Sequence, residues 1–250
     1  MKVSIVTATY NSAATIQQCI ASMQQQDFAD IEHIIVDGAS KDDTLQIIKD
    51  SGHRGPLISE PDKGIYDAMN KGIKLATGDI VGILNSDDFF YNEKVISTIA
   101  AYFTEHDVEA IVADIIFIRK ENEDKVHRHY SGKKWRPSKF AWGYMPPHPS
   151  FFVKRHLFEE LGFYKTDYQI AADYELLIRY LLVHKIRWSY LPMVTTKMLP
   201  GGASTKNLNS IITLNREIAR ACKENGVYTN YGMIYSKYFF KPFEFLGKRK

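Results

Sequence analysis

Residues 3–48 read VSIVTATYNSAATIQQCIASMQQQDFADIEHIIVDGASKDDTLQII, and their pattern decides the fold. Val3 to Ala8 is a short apolar, β-branched run of the kind that forms a buried strand. Ile16, Ile20 and Met23 then recur at helical spacing. Ile31 to Val36 is a second strand. Ser40-Lys41-Asp42-Asp43 has the form of a capping box, with Leu45 and Ile48 following on one helix face. Strand, helix, strand, helix at this spacing predicts an α/β fold, with a doubly wound, mainly parallel central sheet and helices on both faces.

The pattern continues outward. Leu57–Ser59 is a short strand, and Ile65, Ala68, Met69, Gly72 and Ile73 mark a helix. Ile80–Leu84 and Glu93–Glu105 supply a fourth strand and a fourth helix. The second half is less regular. Residues 119–139 are polar, basic and rich in His, which suggests an exposed hairpin or loop. Phe151–Val153 and Arg187–Leu191 are strand candidates. Asp173–His184 is a helix with Leu176, Leu177, Tyr180 and Leu181 inward. Pro200-Gly201-Gly202 marks a loop, and Leu208–Lys223 is a last helix before an aromatic tail. The expected organisation is 1–110 and 111–205 as two halves of one domain, then 206–250 as a helical and aromatic tail.

The chain has 250 residues, 45% hydrophobic and 24% charged, enough for one large domain and unlike a disordered or collagenous chain. Its apolar runs fall well short of the ~18 residues of a spanning helix. MKVSIVTATYN lacks the form of a secretory signal, so the expected location is the cytoplasm. Cys19 and Cys222 form no CxxC or Cys/His cluster, and are expected as buried, reduced thiols. The net charge of +3 is concentrated in residues 231–250, where five basic residues face only Glu244. The body is near neutral, which argues against nucleic-acid binding.

In an open parallel sheet, ligands bind outside the carboxyl ends of the strands. Three polar clusters fall there: Thr9-Tyr10-Asn11, Asp37-Gly38 and Asn85-Ser86-Asp87-Asp88. Singly, each is as well explained by a helix cap, a turn or a solvated loop. Together they surround one crevice. There is no GxGxxG after the first strand and no GxxxxGK[ST] anywhere. An adjacent carboxylate pair suits a hard divalent cation, which could hold a diphosphate without a glycine loop.

The order SIVTATYN, IIVDGASKDDT, SEPDKGIYDAMNKGI, GILNSDDFF resembles family 2 glycosyltransferases with the GT-A fold, most of all bacterial enzymes of surface-polysaccharide synthesis. The resemblance covers roughly residues 1–205. It implies that Asp37 binds the nucleotide base, with Thr9 and Asn11 lining the pocket and Asp62 and Lys63 beside the nucleotide. Asn85-Ser86-Asp87-Asp88 stands in place of the family's DxD motif and departs from it at Asn85. The implied ligands of Mn²⁺ or Mg²⁺ are Asp88 and Asp87, with Asp87 nearer the ribose.

On the helix from Ile65, Asp67, Asn70, Lys71 and Lys74 lie opposite the apolar stripe, as a solvated face would. Asp67, in the first turn, is a candidate for the donor sugar. Ala171-Ala172-Asp173 matches the family's ED-like motif with Ala172 in place of Glu, which implies Asp173 as the general base. An amide-capping carboxylate at a helix start is the competing explanation. Glu175 and Arg179 are read as an exposed i, i+4 pair. Trp142 and His148, in WGYMPPHPS, are acceptor candidates, with a plain surface His as the alternative. Gly201-Gly202-Ala203-Ser204 resembles a loop that closes over the diphosphate. His127, Arg128, His129, Lys133, Lys134 and Trp135 are read as a solvated loop rather than a polyanion patch.

Lys185-Ile186-Arg187-Trp188 lacks the Gln of the processive QxxRW motif, so one sugar per turnover is expected. The implied partners are a nucleoside diphosphate sugar, UDP-linked for choice, and a glycan or lipid-linked acceptor. A sugar-phosphate nucleotidyltransferase is the enzyme rival, although the Gly-rich first loop is missing. A receiver-type module is about half this length, and an inactive nucleotide-sugar-binding relative remains an alternative. The tail's tyrosines, phenylalanines and basic residues suit an anionic membrane surface, or else pack on the domain. Pro242 is expected to interrupt any long helix there.

Overall fold

The computed structural model describes residues 1–119, 122–199 and 208–246. The first half alternates β1 (Val3–Thr9), α1 (Ile16–Gln24), β2 (Ile31–Asp37), α2 (Thr44–Asp50), β3 (Leu57–Ser59), α3 (Ile65–Leu75) and β4 (Ile80–Ile83). Then come β5 (Asp88–Phe90), α4 (Val95–Glu105) and the hairpin β6 (Ala110–Arg119) and β7 (Asn122–Tyr130). They are followed by β8 (Phe152–Lys154), α5 (His156–Leu161), α6 (Ala172–Ile178), β9 (Trp188–Met198), α7 (Leu208–Glu224) and α8 (Tyr231–Leu246).

One sheet runs in the order β3-β2-β1-β4-β8-β6-β9-β5, with β7 paired to β6. β1, β2, β3 and β4 are mutually parallel, as is the β6–β9 pair. β8 is antiparallel to both β4 and β6 and joins the two halves into one sheet.

Central strands buried on both faces divide their side chains between two cores. Val6, Ala8, Ile34 and Val36 face α3, α5, α6 and α7. Val3, Ile5 and Ile35 face α1, α2 and α4. At Gly72 a Cβ would lie 2.3 Å from Val6 Cγ1, so the missing side chain lets α3 approach β1 and β2 closely.

Four expectations are corrected. Ser40 is not the cap of α2; Asp43 is, without a side-chain cap bond, because the Ser40 hydroxyl is drawn to Asp37. Asn70 is buried rather than on a solvated face. Trp135 leaves the solvated loop and enters the core, edge-on to Phe140. α8 continues through Pro242; a proline removes one N–H bond and bends a helix, but need not end it. Cys19 and Cys222 are buried and unbridged, as expected. Among the described residues no helix is long and apolar enough to cross a membrane.

Candidate active site

Register alignment brings the carboxyl ends of β1, β2 and β3 together: Thr9 pairs with Asp37, and Asp37 with Ser59. The Asp37 side chain is fully buried and accepts the Ser40 N–H at 3.0 Å, the Ser59 hydroxyl at 2.7 Å and the Ser40 hydroxyl. Ser40 was read from the sequence only as a helix cap, and Ser59 was not singled out, because a serine at a short strand's end carries no pattern of its own. Asn11, at φ +50°, donates its N–H to Ser40 Oγ at 2.8 Å and accepts the Lys41 N–H at 2.9 Å. It staples the two loops. Thr9 Oγ1 is buried at the strand end with no partner, unlike most buried hydroxyls.

Gly38 has a steric reason. A Cβ there would lie 2.4 Å from Asp62 Oδ2, so a larger residue would push the Asp62 carboxylate away from the end of β2. Asp62 Oδ1 accepts the Gly64 N–H at 2.8 Å, and Lys63 is exposed beside it. Asp67 has a local duty that competes with a sugar contact: it accepts the Lys63 N–H at 3.0 Å and lies 3.7 Å from Lys71 Nζ.

Beyond β4 the two carboxylates part company. Asp87 is exposed, while Asp88, the first residue of β5, is 1% exposed. Asp88 Oδ2 accepts the Asn85 amide at 2.8 Å, and Oδ1 has no partner. Burial, reinforced by Asp87, pushes the Asp88 carboxyl well above the usual carboxylate range. A desolvated carboxylate with a free oxygen is costly unless a cation meets it. The pair therefore fits a divalent ion, although no group of three or more metal-binding side chains exists among the described residues.

Asp173 sits in the first turn of α6, half-buried. Its Oδ1 accepts the Tyr174 N–H at 2.7 Å and the Tyr66 hydroxyl at 3.4 Å. Burial raises its carboxyl, and nearby His148 opposes that rise. His148 is not a surface residue: it is buried, with Nε2 2.8 Å from the Tyr164 hydroxyl. Tyr164 in turn stacks on Tyr66, with ring centroids 5.8 Å apart. Asn70 fixes Tyr164 by bonding both its carbonyl, at 2.8 Å, and its N–H, at 3.0 Å.

Tyr66 and Tyr164 were not singled out in the sequence, and Asn70 was read as solvated, because Tyr66 and Asn70 find their partners about a hundred residues away. Trp142 is exposed at the end of a 3₁₀ turn, Pro137–Trp142. The Gly201-Gly202-Ala203-Ser204 loop lies outside the described residues.

Glu175 and Arg179 are not an exposed pair. Glu175 is 0% exposed, and Arg179 meets it twice, at 2.9 and 3.2 Å, with Lys165 adding a contact at 3.0 Å. Arg179 also donates to the carbonyls of Leu161, Gly162 and Phe163, just before Tyr164.

A doubly wound sheet with polar clusters at its strand ends defines the class, an α/β protein of the GT-A type. The backbone overlays a mannosyltransferase from Pyrobaculum calidifontis, in complex with GDP-Man and Mn²⁺, with a TM-score of 0.67 at 19% identity, covering 98% of this chain and 68% of that one. Staphylococcus aureus TarS 1–349, in complex with UDP-GlcNAc, gives a TM-score of 0.64 at 20% identity, covering 88% and 66%. The model of glycosyl transferase family 2 matches residues 4–164, and the chain belongs to that family. It is similar to a PGL/p-HBAD biosynthesis glycosyltransferase of Mycobacterium tuberculosis, 32% identical over 180 residues, which cover 70% of this chain and 68% of that protein. The chain is thus a glycosyltransferase.

Proposed function

We propose that the enzyme transfers a single sugar from a UDP-sugar to a glycan or lipid-linked acceptor, with inversion, using Asp173 as the general base and a divalent cation held by Asp88 and Asp87. The observation that carries this reading is Tyr66. It follows the Asp62-Lys63-Gly64 segment at the nucleotide edge, and its hydroxyl reaches the Ile170 carbonyl and Asp173 in the second half of the chain. The supposed donor and acceptor sides therefore meet at one side chain.

Asp173 takes the proton of the acceptor hydroxyl as that oxygen attacks the anomeric carbon, and the bond to the diphosphate oxygen breaks on the opposite face. Asp88 and Asp87 would hold the cation, which would supply neutralisation of the charge on the departing diphosphate. The base's N–H takes the place of the Ser40 hydroxyl on Asp37, and Thr9 Oγ1 supplies a polar contact at the same strand ends. Asp62 and Lys63 lie beside the nucleotide, and His148 and Trp142 belong to the acceptor side. TarS in complex with UDP-GlcNAc supports UDP. The mannosyltransferase in complex with GDP-Man and Mn²⁺ supports the cation, and GDP is the alternative nucleotide it raises.

A thermal-shift panel of UDP-, GDP- and dTDP-sugars with and without Mn²⁺ tests the donor. A Tm rise specific to UDP-sugar with Mn²⁺ is expected, since a ligand that binds only the native state stabilises it. A rise with GDP-sugar alone overturns the UDP assignment. NMR of the product's anomeric proton tests inversion.

We further propose that the tail lies on the inner face of the membrane. On the first two turns of α8, Tyr231 and Tyr235 are exposed, while Ile234 and Lys237 are buried.

A further inference from the structure

A carboxylate on α7 reaches across to the loop that leads into Asp173. Glu217 is 9% exposed. Its Oε1 accepts the Gln169 N–H at 2.7 Å, and its Oε2 accepts the N–H groups of Ile170 at 2.9 Å and Ala171 at 2.8 Å. Among the described residues Glu217 makes no salt bridge, while its neighbour Arg220 pairs with Asp167 and Glu224. Three converging amide dipoles therefore compensate the buried charge.

The opposite side of the same segment is held as well. The Ile170 carbonyl accepts the Tyr66 hydroxyl from α3. The Ala171 carbonyl accepts the Glu175 N–H at 3.1 Å, the first bond of α6. Residues 169–171 are thus pinned by their amides to α7 and by a carbonyl to α3, and Asp173 follows two residues later.

We propose that Glu217 is a positioning residue for the general base: it fixes the backbone that sets where the Asp173 carboxylate stands. The proposal rests on the reading of Asp173 as base. An anionic side chain is required by chemistry. Three N–H groups need acceptor oxygens, and a glutamine offers one oxygen and turns an NH₂ donor toward the remaining N–H groups. Small displacements of a reacting group are expensive in rate: about 1 Å can cost about 10²-fold.

The test is a double-mutant cycle on the full chain. The readout is Mn²⁺-supported hydrolysis of whichever of UDP-glucose, UDP-GlcNAc, GDP-mannose and dTDP-glucose the wild type turns over fastest. Glu217→Gln is expected to lower kcat by about 10- to 100-fold while KM for the nucleotide sugar changes by less than about threefold. In an Asp173→Asn background, Glu217→Gln should change the residual rate hardly at all, because the group it positions is already disabled.

If Asp173→Asn retains wild-type hydrolysis, or the wild type hydrolyses none of the four donors, the base reading falls and this proposal with it. If Asp173→Asn is impaired but Glu217→Gln keeps full kcat, raises only KM, or costs as much in the Asp173→Asn background as in wild type, the positioning role alone is overturned. Should Glu217→Gln lose its cooperative melt, the cycle is run with Glu217→Asp. That variant keeps the charge but withdraws the carboxylate by one methylene, and an unchanged kcat there overturns the proposal equally.

Discussion

The Asn85 side-chain amide donates to Asp88 Oδ2 at 2.8 Å and leaves Asp88 Oδ1 buried without a partner. Asn85 thus orients the buried Asp88 carboxylate instead of adding a charge beside it. Asp88→Asn is expected to abolish cation-dependent turnover while leaving the metal-free Tm no lower than wild type, since an amide removes a buried charge. Asn85→Ala should keep the ligand but loosen it, weakening Mn²⁺ binding about 10- to 100-fold, the usual cost of losing a group that orients a metal ligand. Calorimetric titration with Mn²⁺ reads both. Unchanged Mn²⁺ affinity in Asp88→Asn sinks the assignment.

Asp173→Asn should depress sugar transfer by about 10²- to 10⁴-fold with nucleotide affinity nearly intact. Burial lifts the Asp173 carboxyl above its ordinary range. Only the ionised form accepts a proton, so activity falls as pH drops through that raised pKa, nearer neutrality than an ordinary Asp would allow. The sign for stability is opposite. A carboxyl raised on folding favours the native state while protonated, below its unfolded-state pKa of about 3.9. That advantage is lost as pH rises through the folded-state value. Asp173→Asn, which stays neutral, should therefore melt at or above the wild-type Tm at pH 7. A collapse of UDP affinity instead would make Asp173 a donor-site or structural residue.

Glu175→Ala should be far more damaging to the fold than a surface pair would be. Removing one partner of a buried pair leaves the Arg179 charge uncompensated, which costs about 3–5 kcal/mol. Burial alone would raise the Glu175 carboxyl, but the Arg179, Lys165 and Asn225 hydrogen bonds override it and hold it below its usual value. The contribution is thus present above the unfolded-state pKa, about 4.3, and is lost as pH falls through the lower folded-state value. Urea denaturation at pH 7 and at pH 3 checks this: the gap between wild type and variant should narrow in acid. A gap under about 1 kcal/mol at pH 7, as for exposed pairs, overturns the account.

Much of this was legible in one dimension. Strands β1 to β4 and the helices up to α4 follow from apolar periodicity, whereas the three-residue β5, Asp88–Phe90, does not, and the strand-end clusters follow from topology. The unread part depended on what a residue meets across the fold. Glu175 and Arg179 have the spacing of a surface pair and differ only because Lys165, Asn225 and three carbonyls close over them. Asn70 sits on the polar side of its helix, but that side faces the Tyr164 backbone. Glu217 is one acidic residue on an amphipathic helix, and nothing local marks it as the acceptor of three amides from residues 169–171. Pattern reports which way a side chain faces, but not what waits there.

The tail divides into two functions along one helix, and its test must respect that. Ile234 is 0% exposed in the main core, and Tyr238 bonds Asn215 at 3.0 Å. A chain ending at Gly232 would lose both anchors, and its failure to bind lipid would say only that the fold was damaged. Tyr231 and Tyr235 are the outward rings, at 54% and 38% exposure. Replacing both by Ser leaves Ile234 and Tyr238 in place. Co-sedimentation with vesicles containing phosphatidylserine should show the wild type binding, weakening with salt as screened charge attraction must. The double Ser variant should bind markedly less, with an unchanged Tm. Removal of residues 247–250, which carry Lys248, Arg249 and Lys250, should weaken binding further, since each basic residue near an anionic surface contributes about 1 kcal/mol. Equal sedimentation of all three chains, or binding indifferent to both anionic lipid and salt, overturns the membrane role and leaves α8 as a packing element alone.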